Sequence, residues 1–248
     1  MGGFRMEIIT MNGRNCIIRG GNISNCKGFT LVELLVALGI SAVIMSAVYA
    51  SYHSQQKSYV VQEEVAVLQQ NLRAAMFYMS SQIREAGCNP SLTDVNKPRI
   101  VTADVDGINF TSDITGPIGD PDGDTDDSYE NVTYSLYTSN NIQKLGVRST
   151  VNATNQPVIE NVDALNFVYL DEDGNRLDDD GSGNVTTNIP NIRSVGVTIV
   201  VRASREDPDY TDDNAYQNQQ GDVILEAQND HFRRRMQSLN IACRNLGL

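Results

Sequence analysis

The sequence contains no tryptophan and only two histidines, His53 and His231. A metal centre built on several imidazoles is thereby excluded, and a histidine-dependent catalytic triad has little to draw on. There is no Cys-x-x-Cys pair and no glycine-rich phosphate loop, which removes the common redox and nucleotide chemistries. Cations are scarce: 19 Lys+Arg stand against 31 Asp+Glu, a net charge of -12. Phosphate neutralisation needs clustered cations, so nucleic acid is not expected among the partners. Apolar residues are plentiful, 40% of 248. That is too many for a disordered chain, and the length allows one large or two small domains.

Charge and apolarity are unevenly spread. Residues 1–28 carry Arg5, Arg14, Arg19 and Lys27 against Glu7, a net +3, and the remaining 220 residues carry -15. Phe29–Tyr52 then follows, 24 residues with one charge, Glu33. About 20 apolar residues let a helix cross a bilayer. The basic side precedes the run, so the positive-inside rule keeps residues 1–28 in the cytoplasm and places the rest beyond the membrane. The run exceeds the apolar core of a secretory signal, and the small residue, Gly28, precedes it instead of following it. Glu33 is the anomaly. A carboxylate in a lipid-facing helix costs roughly 2.5–3.5 kcal/mol on insertion scales. A solitary anchor has no use for it, whereas a helix among like helices can pair it with a neighbour's cation.

The helical pattern continues past the membrane run. Val61, Val65, Leu68, Leu72, Met76, Met79 and Ile83 form one stripe of an amphipathic helix, with polar residues between them. Gly87 and then Pro90 mark its C-terminus. The remainder predicts strands and acidic loops. Arg99–Ala103 and Ile108–Thr111 flank an Asp-Gly hairpin signal. Val132, Tyr134 and Leu136 alternate with polar residues, and Ile142–Arg148 and Val158–Ile159 are short candidates. Ala164–Leu170 and Ile192–Ala203 are rich in Val, Ile and Tyr, and Val223–Ala227 and Phe232–Cys243 follow. One long helix followed by strands predicts an α+β domain with an antiparallel sheet laid on the helix.

Lys27-Gly28-Phe29-Thr30-Leu31-Val32-Glu33-Leu34-Leu35-Val36-Ala37-Leu38 resembles the N-terminal signature of type IV pilins and type II secretion pseudopilins. The resemblance implies that a prepilin peptidase cuts between Gly28 and Phe29. It also implies that Phe29 is then N-methylated and that Glu33 meets the N-terminal amine of an adjacent subunit during assembly. Gln69–Arg73, Ile83–Gly87, Ile159–Leu170 and Ile192–Val195 look like PilW-type minor pilins, which are similar to the J-type pseudopilins. The acidic stretches at 119–130 and 171–184 are not part of that pattern. The leader is long for the family, and Met6 and Met11 are alternative starts.

The implied organisation is a cytoplasmic prepilin leader, 1–28, and a transmembrane half-helix, 29–56. An amphipathic half-helix, 57–88, and a β-rich region, 89–248, follow, giving the type IV pilin fold. The implied function is non-enzymatic: a minor pilin that primes or caps a type IV pilus. Its partners would be the prepilin peptidase, the other minor pilins and the major pilin (or pseudopilins). It would sit in the inner membrane with its C-terminal region in the periplasm, then at the pilus and cell surface. The rival readings are a J-type pseudopilin of type II secretion and, in another class, a membrane-anchored Ca²⁺-binding or enzymatic domain.

In this arrangement Cys16 and Cys26 stay in the reducing cytoplasm, and Cys88 and Cys243 are expected to pair in the oxidising periplasm. Two Asp-rich stretches remain, with Asp120, Asp122, Asp124 and Asp126 in the first and Asp171, Asp173, Asn175 and Asp178 in the second. Hard oxygen ligands at alternate positions suit Ca²⁺. Neither stretch fits the EF-hand, because its glycine falls at the fourth position instead of the sixth. The sequence makes no cofactor certain: Ca²⁺ at one of the two loops is the one candidate, and a solvated acidic loop is the alternative.

Overall fold

A computed structural model describes residues 8–11, 14–17, 28–92, 97–116, 121–150 and 154–247. The chain divides into two compact units, Met1–Lys57 and Ser58–Leu248. In the first, β1 (Ile8–Met11) pairs antiparallel with β2 (Arg14–Ile17), and α1 (Leu31–Glu85) begins. The helix starts two residues after Phe29 and ends two before Gly87, the mark of its C-terminus in the sequence.

In the second unit the C-terminal half of α1 is the spine of the core. Leu68, Leu72, Met76, Met79 and Ile83 of the predicted stripe are buried, with Ala75 and Ser80 beside them. Each such Leu, Met or Ile contributes about 1.5–3 kcal/mol of burial. Val61 and Val65, at the stripe's N-terminal end, are half-buried. The helix stops at Gly87, whose φ of +78° is the left-handed C′ conformation. A Cβ there would also come within 2.5 Å of Leu246 Cδ2. Asn245 Nδ2 donates to the orphan carbonyl of Arg84 at 3.2 Å, so the chain's C-terminal segment caps the helix.

Two antiparallel sheets share one apolar core with these helix residues. The first is a meander of β3 (Ile100–Asp104), β4 (Gly107–Thr111), β5 (Asn131–Ser139), β6 (Ile142–Ser149) and β7 (Gln156–Glu160). Asn140 and Asn141, with φ of 54° and 60°, form the two-residue turn between β5 and β6. Paired positive φ values are what a twisted two-residue hairpin needs. At Asn161, φ 58°, the chain leaves the first sheet and enters β8 (Val162–Leu170) of the second.

The second sheet runs β13-β10-β8-β9, where β9 is Arg176–Leu177, β10 is Ser194–Glu206 and β13 is Phe232–Ala242. A 3₁₀ turn at Ile189–Asn191 immediately precedes the stretch predicted as a strand from Ile192, and β10 itself begins at Ser194. Central strands β8 and β10 are buried almost throughout. Val195, Val197, Ile199 and Val201 of β10 and Phe167 and Tyr169 of β8 join the core. Their alternate residues lie under the excursion 207–231, which carries the small hairpin β11 (Tyr216–Gln217) and β12 (Val223–Leu225). Asn218 Nδ2 of that excursion donates to Asn166 Oδ1 at 3.0 Å.

Buried tyrosines join the layers. The Tyr134 hydroxyl donates to Gln82 Oε1 on α1. Tyr169 Oη lies 2.9 Å from the Asp104 carbonyl and 3.0 Å from that of Gly107. Burial pushes both phenols far above their ordinary range, so they remain neutral donors. One long helix against curled antiparallel sheet is the α+β fold expected from the type IV pilin resemblance.

Candidate functional site

The first candidate site is the N-terminal stretch of α1. Every residue from 28 to 60 is exposed, including Phe29, Leu31, Val32, Leu34, Leu35, Val36, Leu38, Ile40 and Ile44. This stretch is long and apolar enough to cross a membrane. Its hydroxyls are turned inward: Ser41 Oγ donates to the Ala37 carbonyl at 2.7 Å and Ser46 Oγ to that of Val43 at 2.8 Å. Such back-bonding removes the cost of placing a hydroxyl among lipid tails or apolar side chains.

Thr30 and Glu33 form a reciprocal cap on this helix. The Glu33 amide donates to Thr30 Oγ1 at 3.2 Å, and the Thr30 amide donates to Glu33 Oε2 at 3.3 Å. Ser/Thr followed three residues later by Glu is the sequence signature of that box, and Thr30-x-x-Glu33 carries it. The sequence analysis gives Glu33 as a charge in an apolar run and as the partner of a neighbour's amine, not as a cap. Gly28 lies two residues upstream of the cap. A Cβ there would meet nothing within 4 Å, so neither space nor a left-handed φ requires glycine at that position.

The second candidate is the first Asp-rich loop. Carboxylate oxygens of Asp122, Asp124 and Asp127 lie within 4.8 Å of one another, with Asp122 exposed and the other two half-buried. This cluster could chelate a divalent ion. Asp120 lies outside the described residues. Asp126, expected as a ligand, is replaced by Asp127. The chain bends into a turn ending at Tyr129, φ 69°, which breaks the alternation that an extended segment would keep. The Asp126 amide instead donates to Asp124 Oδ1 at 3.1 Å. A side-chain hydrogen bond with Asp124, then its charge, raises the Asp126 carboxyl. Burial, then Asp122, raises Asp127.

The second Asp-rich loop is not gathered around a point. Asp171 Oδ1 accepts the Asn175 amide at 2.8 Å and Oδ2 the Asn175 side chain at 3.1 Å, closing the β8–β9 turn. Asp178 Oδ1 accepts the amides of Gly181 and Gly183 at 2.7 and 3.0 Å. Asp173 lies on the exposed turn. Asp179, which the sequence reading did not single out, anchors the loop. Its Oδ2 accepts the amides of Thr186, Thr187 and Asn188 at 2.8, 2.6 and 2.9 Å. These carboxylates serve their own backbone, an Asx-turn use that alternate spacing cannot distinguish from a ligand set.

These bonds have a pH consequence. Asn188 first, then Thr186 and Thr187, hold the Asp179 carboxyl at about 2. Asp171 and Asp180 are lowered mainly by Asn175 and Asn184. A depressed folded value stabilises the protein above the unfolded carboxylate value of about 3.9. That stabilisation is lost as pH falls through the folded value. Protonation of the raised Asp126 and Asp127 acts in the opposite sense above that range. The melting temperature should therefore fall chiefly between about pH 4 and 2, and less steeply in Asp179→Ala. A flat wild-type profile over that interval contradicts the assignment.

A buried ionic cluster went unpredicted. The Arg234 guanidinium, its side chain 1% exposed, contacts Asp163 at 2.6 Å and Asp212 at 3.1 Å. It also grips Asp230 through Nη1 at 2.6 Å and Nη2 at 2.7 Å. Asp230 leads the groups that raise the arginine further above its ordinary range. Burial pushes Asp212 up, but hydrogen bonds from Asn214, Tyr216 and Arg234 outweigh it and leave the carboxyl low. Arg234 is on β13, Asp163 on β8 and Asp212 and Asp230 in the excursion, so only tertiary structure assembles them.

The expected Cys88–Cys243 disulfide is corrected by the structure: both are free thiols. Cys243 is buried in the apolar core, where burial alone pushes its thiol up to about 12. Cys88 lies half-buried past the helix end, raised by burial and then by Asp113 and Glu85. Neither thiol is disposed to ionise, and the thiolate is the reactive form.

Comparison with known proteins accords with these features. Residues 23–49 match the Prokaryotic N-terminal methylation motif, and residues 126–245 match the family Type IV Pilus-assembly protein W. A solved structure, the Type IV-like pilin TTHA1219 from Thermus thermophilus, is similar at 14% identity and a TM-score of 0.45, over 73% of this chain and 98% of that one. No curated protein matches the chain. The methylation motif, the family match and the helix-on-sheet fold mark a type IV pilin-like protein. More particularly, it is related to the PilW-type minor pilins.

Proposed function

We propose that this chain is a minor pilin, made as a prepilin with residues 1–28 as leader. It is cut between Gly28 and Phe29, methylated on Phe29, and joined with other pilins to prime or cap a type IV pilus. Residues 29–56 hold it in the inner membrane before assembly, 57–88 form the amphipathic half of the helix, and 89–248 lie in the periplasm and later at the cell surface. The observation that carries the reading is the wholly exposed apolar helix surface with one carboxylate at its start. Packed stem against stem, that surface gains about 25 cal/mol per Å² buried, and Glu33 meets a neighbour's amine. Gly28 supports the reading too, because a peptidase requirement explains a glycine that the fold does not demand. The acidic triad suits Ca²⁺, whose shell of about 6–8 oxygens accepts carboxylates and water in flexible geometry. Such an ion would be a structural part of the subunit.

Mass spectrometry of the mature protein tests the proposal. The N-terminal peptide should begin at Phe29 and carry one extra methyl group. A mature protein that retains residues 1–28 would instead support an unprocessed anchor.

A further inference from the structure

Asp113 follows β4 and is wholly buried, and neither of its carboxylate oxygens has a hydrogen-bond partner. Asp127 Oδ2 is likewise buried and unpartnered. None of Asp113, Asp122, Asp124 and Asp127 makes an ion pair with a described cation. Buried carboxylates in this condition are strongly disfavoured unless a cation reaches them.

The backbone brings Asp113 to the triad. Its amide donates to the Cys88 carbonyl at 2.8 Å, just beyond the helix end, and the Ser112 amide donates to the Glu130 carbonyl at 2.8 Å. Glu130 is buried and acts as a rivet. Its Oε1 accepts the amides of Ile114 and Thr115, each at 2.8 Å, and its Oε2 accepts the Asp127 amide at 3.3 Å. With both oxygens so used, Glu130 holds segment 112–115 beside the turn that presents Asp127. Asp113 lies close enough for its charge to act on Asp127 as well as on Cys88.

We propose that Asp113, Asp122, Asp124 and Asp127 form a Ca²⁺ site that fastens segment 112–130 to the C-terminal end of α1. The proposal rests on the reading of the triad as a Ca²⁺ ligand set and adds the buried fourth carboxylate. The oxygens of Asp122, Asp124 and Asp127, within 4.8 Å of one another, match ligands on opposite sides of an ion with bonds of about 2.4 Å, the range of Ca²⁺. Mg²⁺, at about 2.1 Å with a strict octahedron, asks for a tighter set. The fastened segment lies largely outside the region matching the PilW family, residues 126–245, so the ion would belong to this chain's own elaboration of the fold.

The test uses the full chain in detergent, stripped with chelator and titrated with CaCl₂ or MgCl₂ by calorimetry and thermal melting. Ca²⁺ should bind with a dissociation constant on the order of 10⁻⁴ M or tighter and raise the melting temperature, with Mg²⁺ much less effective. Asp113→Asn should melt higher than wild type without Ca²⁺, because an uncompensated charge is gone, and should bind Ca²⁺ at least about tenfold more weakly. Asp124→Asn should lose binding as well. Hydrogen exchange of the wild type provides a second measurement free of variants: Ca²⁺ should protect 113–115 and the helix end as well as 121–128. If Asp113→Asn binds like wild type, or protection stops at the loop, the fourth ligand is refuted and the triad stands. If wild type binds no Ca²⁺ at about 10 mM, well above the weakest extracellular sites, both fall. Equal stabilisation by Mg²⁺ would overturn the choice of ion.

Discussion

Glu33→Leu should leave membrane insertion and the 58–248 unit intact while weakening association with the other pilins by about two to three decades. On the proposed reading, the carboxylate in an assembled stem would answer the amine of a neighbouring subunit among apolar side chains. Removing one partner of a buried pair costs about 3–5 kcal/mol, and each 1.4 kcal/mol is about a factor of ten. In the isolated chain the same carboxylate is held loosely. It accepts the Thr30 amide at 3.3 Å and the Thr30 hydroxyl at 3.4 Å, both longer than a strong charge-assisted bond. It is therefore free to exchange these donors for an ammonium group. Thr30→Ala is the control, since it removes half of the capping box and keeps the charge. If Glu33 only caps its own helix, the two variants should behave alike, each costing about 0.5–2 kcal/mol of local stability. If Glu33 assembles subunits, Glu33→Leu should lose co-purification and pilus number while Thr30→Ala keeps most of both. Glu33→Asp should be intermediate, because its shorter side chain reaches the amine less well. Unchanged complex formation in Glu33→Leu would reduce the helix to an anchor.

The second large effect is expected at Arg234, and it concerns stability. Arg234→Ala leaves Asp163 without its 2.6 Å partner and Asp212, itself 1% exposed at the side chain, with only neutral donors. Asp163 keeps only the longer Arg202 contact at 3.6 Å, and a buried, uncompensated carboxylate such as Asp212 costs about 3–5 kcal/mol, a large part of the 5–15 kcal/mol typical of a domain. The sign follows from the stranded charges, not from any net worth of the cluster, because the cost of desolvating Arg234 and Asp212 offsets their attraction. Arg234→Lys should rescue little. One ammonium cannot reproduce a guanidinium that meets Asp230 through two nitrogens and Asp163 through a third. Equilibrium denaturation in urea should show a lower midpoint at an unchanged slope. Limited proteolysis should cut first in 207–231, the excursion that Asp212 and Asp230 tie down. A midpoint within about 1 kcal/mol of wild type would mean that water or neighbouring donors absorb the loss. Both proteolysis and midpoint separate this effect from Glu33→Leu, which should alter neither.

Two kinds of information in this chain lie at different depths. The apolar run with Glu33, the stripe from Leu68 to Ile83, the alternation in β5 and the Val, Ile and Tyr content of β8 and β10 are local patterns. Local geometry dictates them, because a helix repeats every 3.6 residues and a strand every two. Element boundaries accordingly fell within a few residues of their predicted places, and Thr30-x-x-Glu33 was readable though unread. The sites that depend on approach in space were not local. Alternate Asp residues look the same whether they surround an ion or bind their own turn amides, so 122–127 and 171–180 separated only once their backbones were placed. Asp127 displaced Asp126 because the chain bends between Asp126 and Tyr129, and Asp113 entered because Glu130 rivets two segments 15 residues apart. Cys88 and Cys243 were paired on compartment and number. The structure leaves both as thiols, one sunk in the core and the other beside carboxylates at the helix end. Arg234 finds Asp163 71 residues away, a contact that no periodicity encodes and that sheet pairing alone creates.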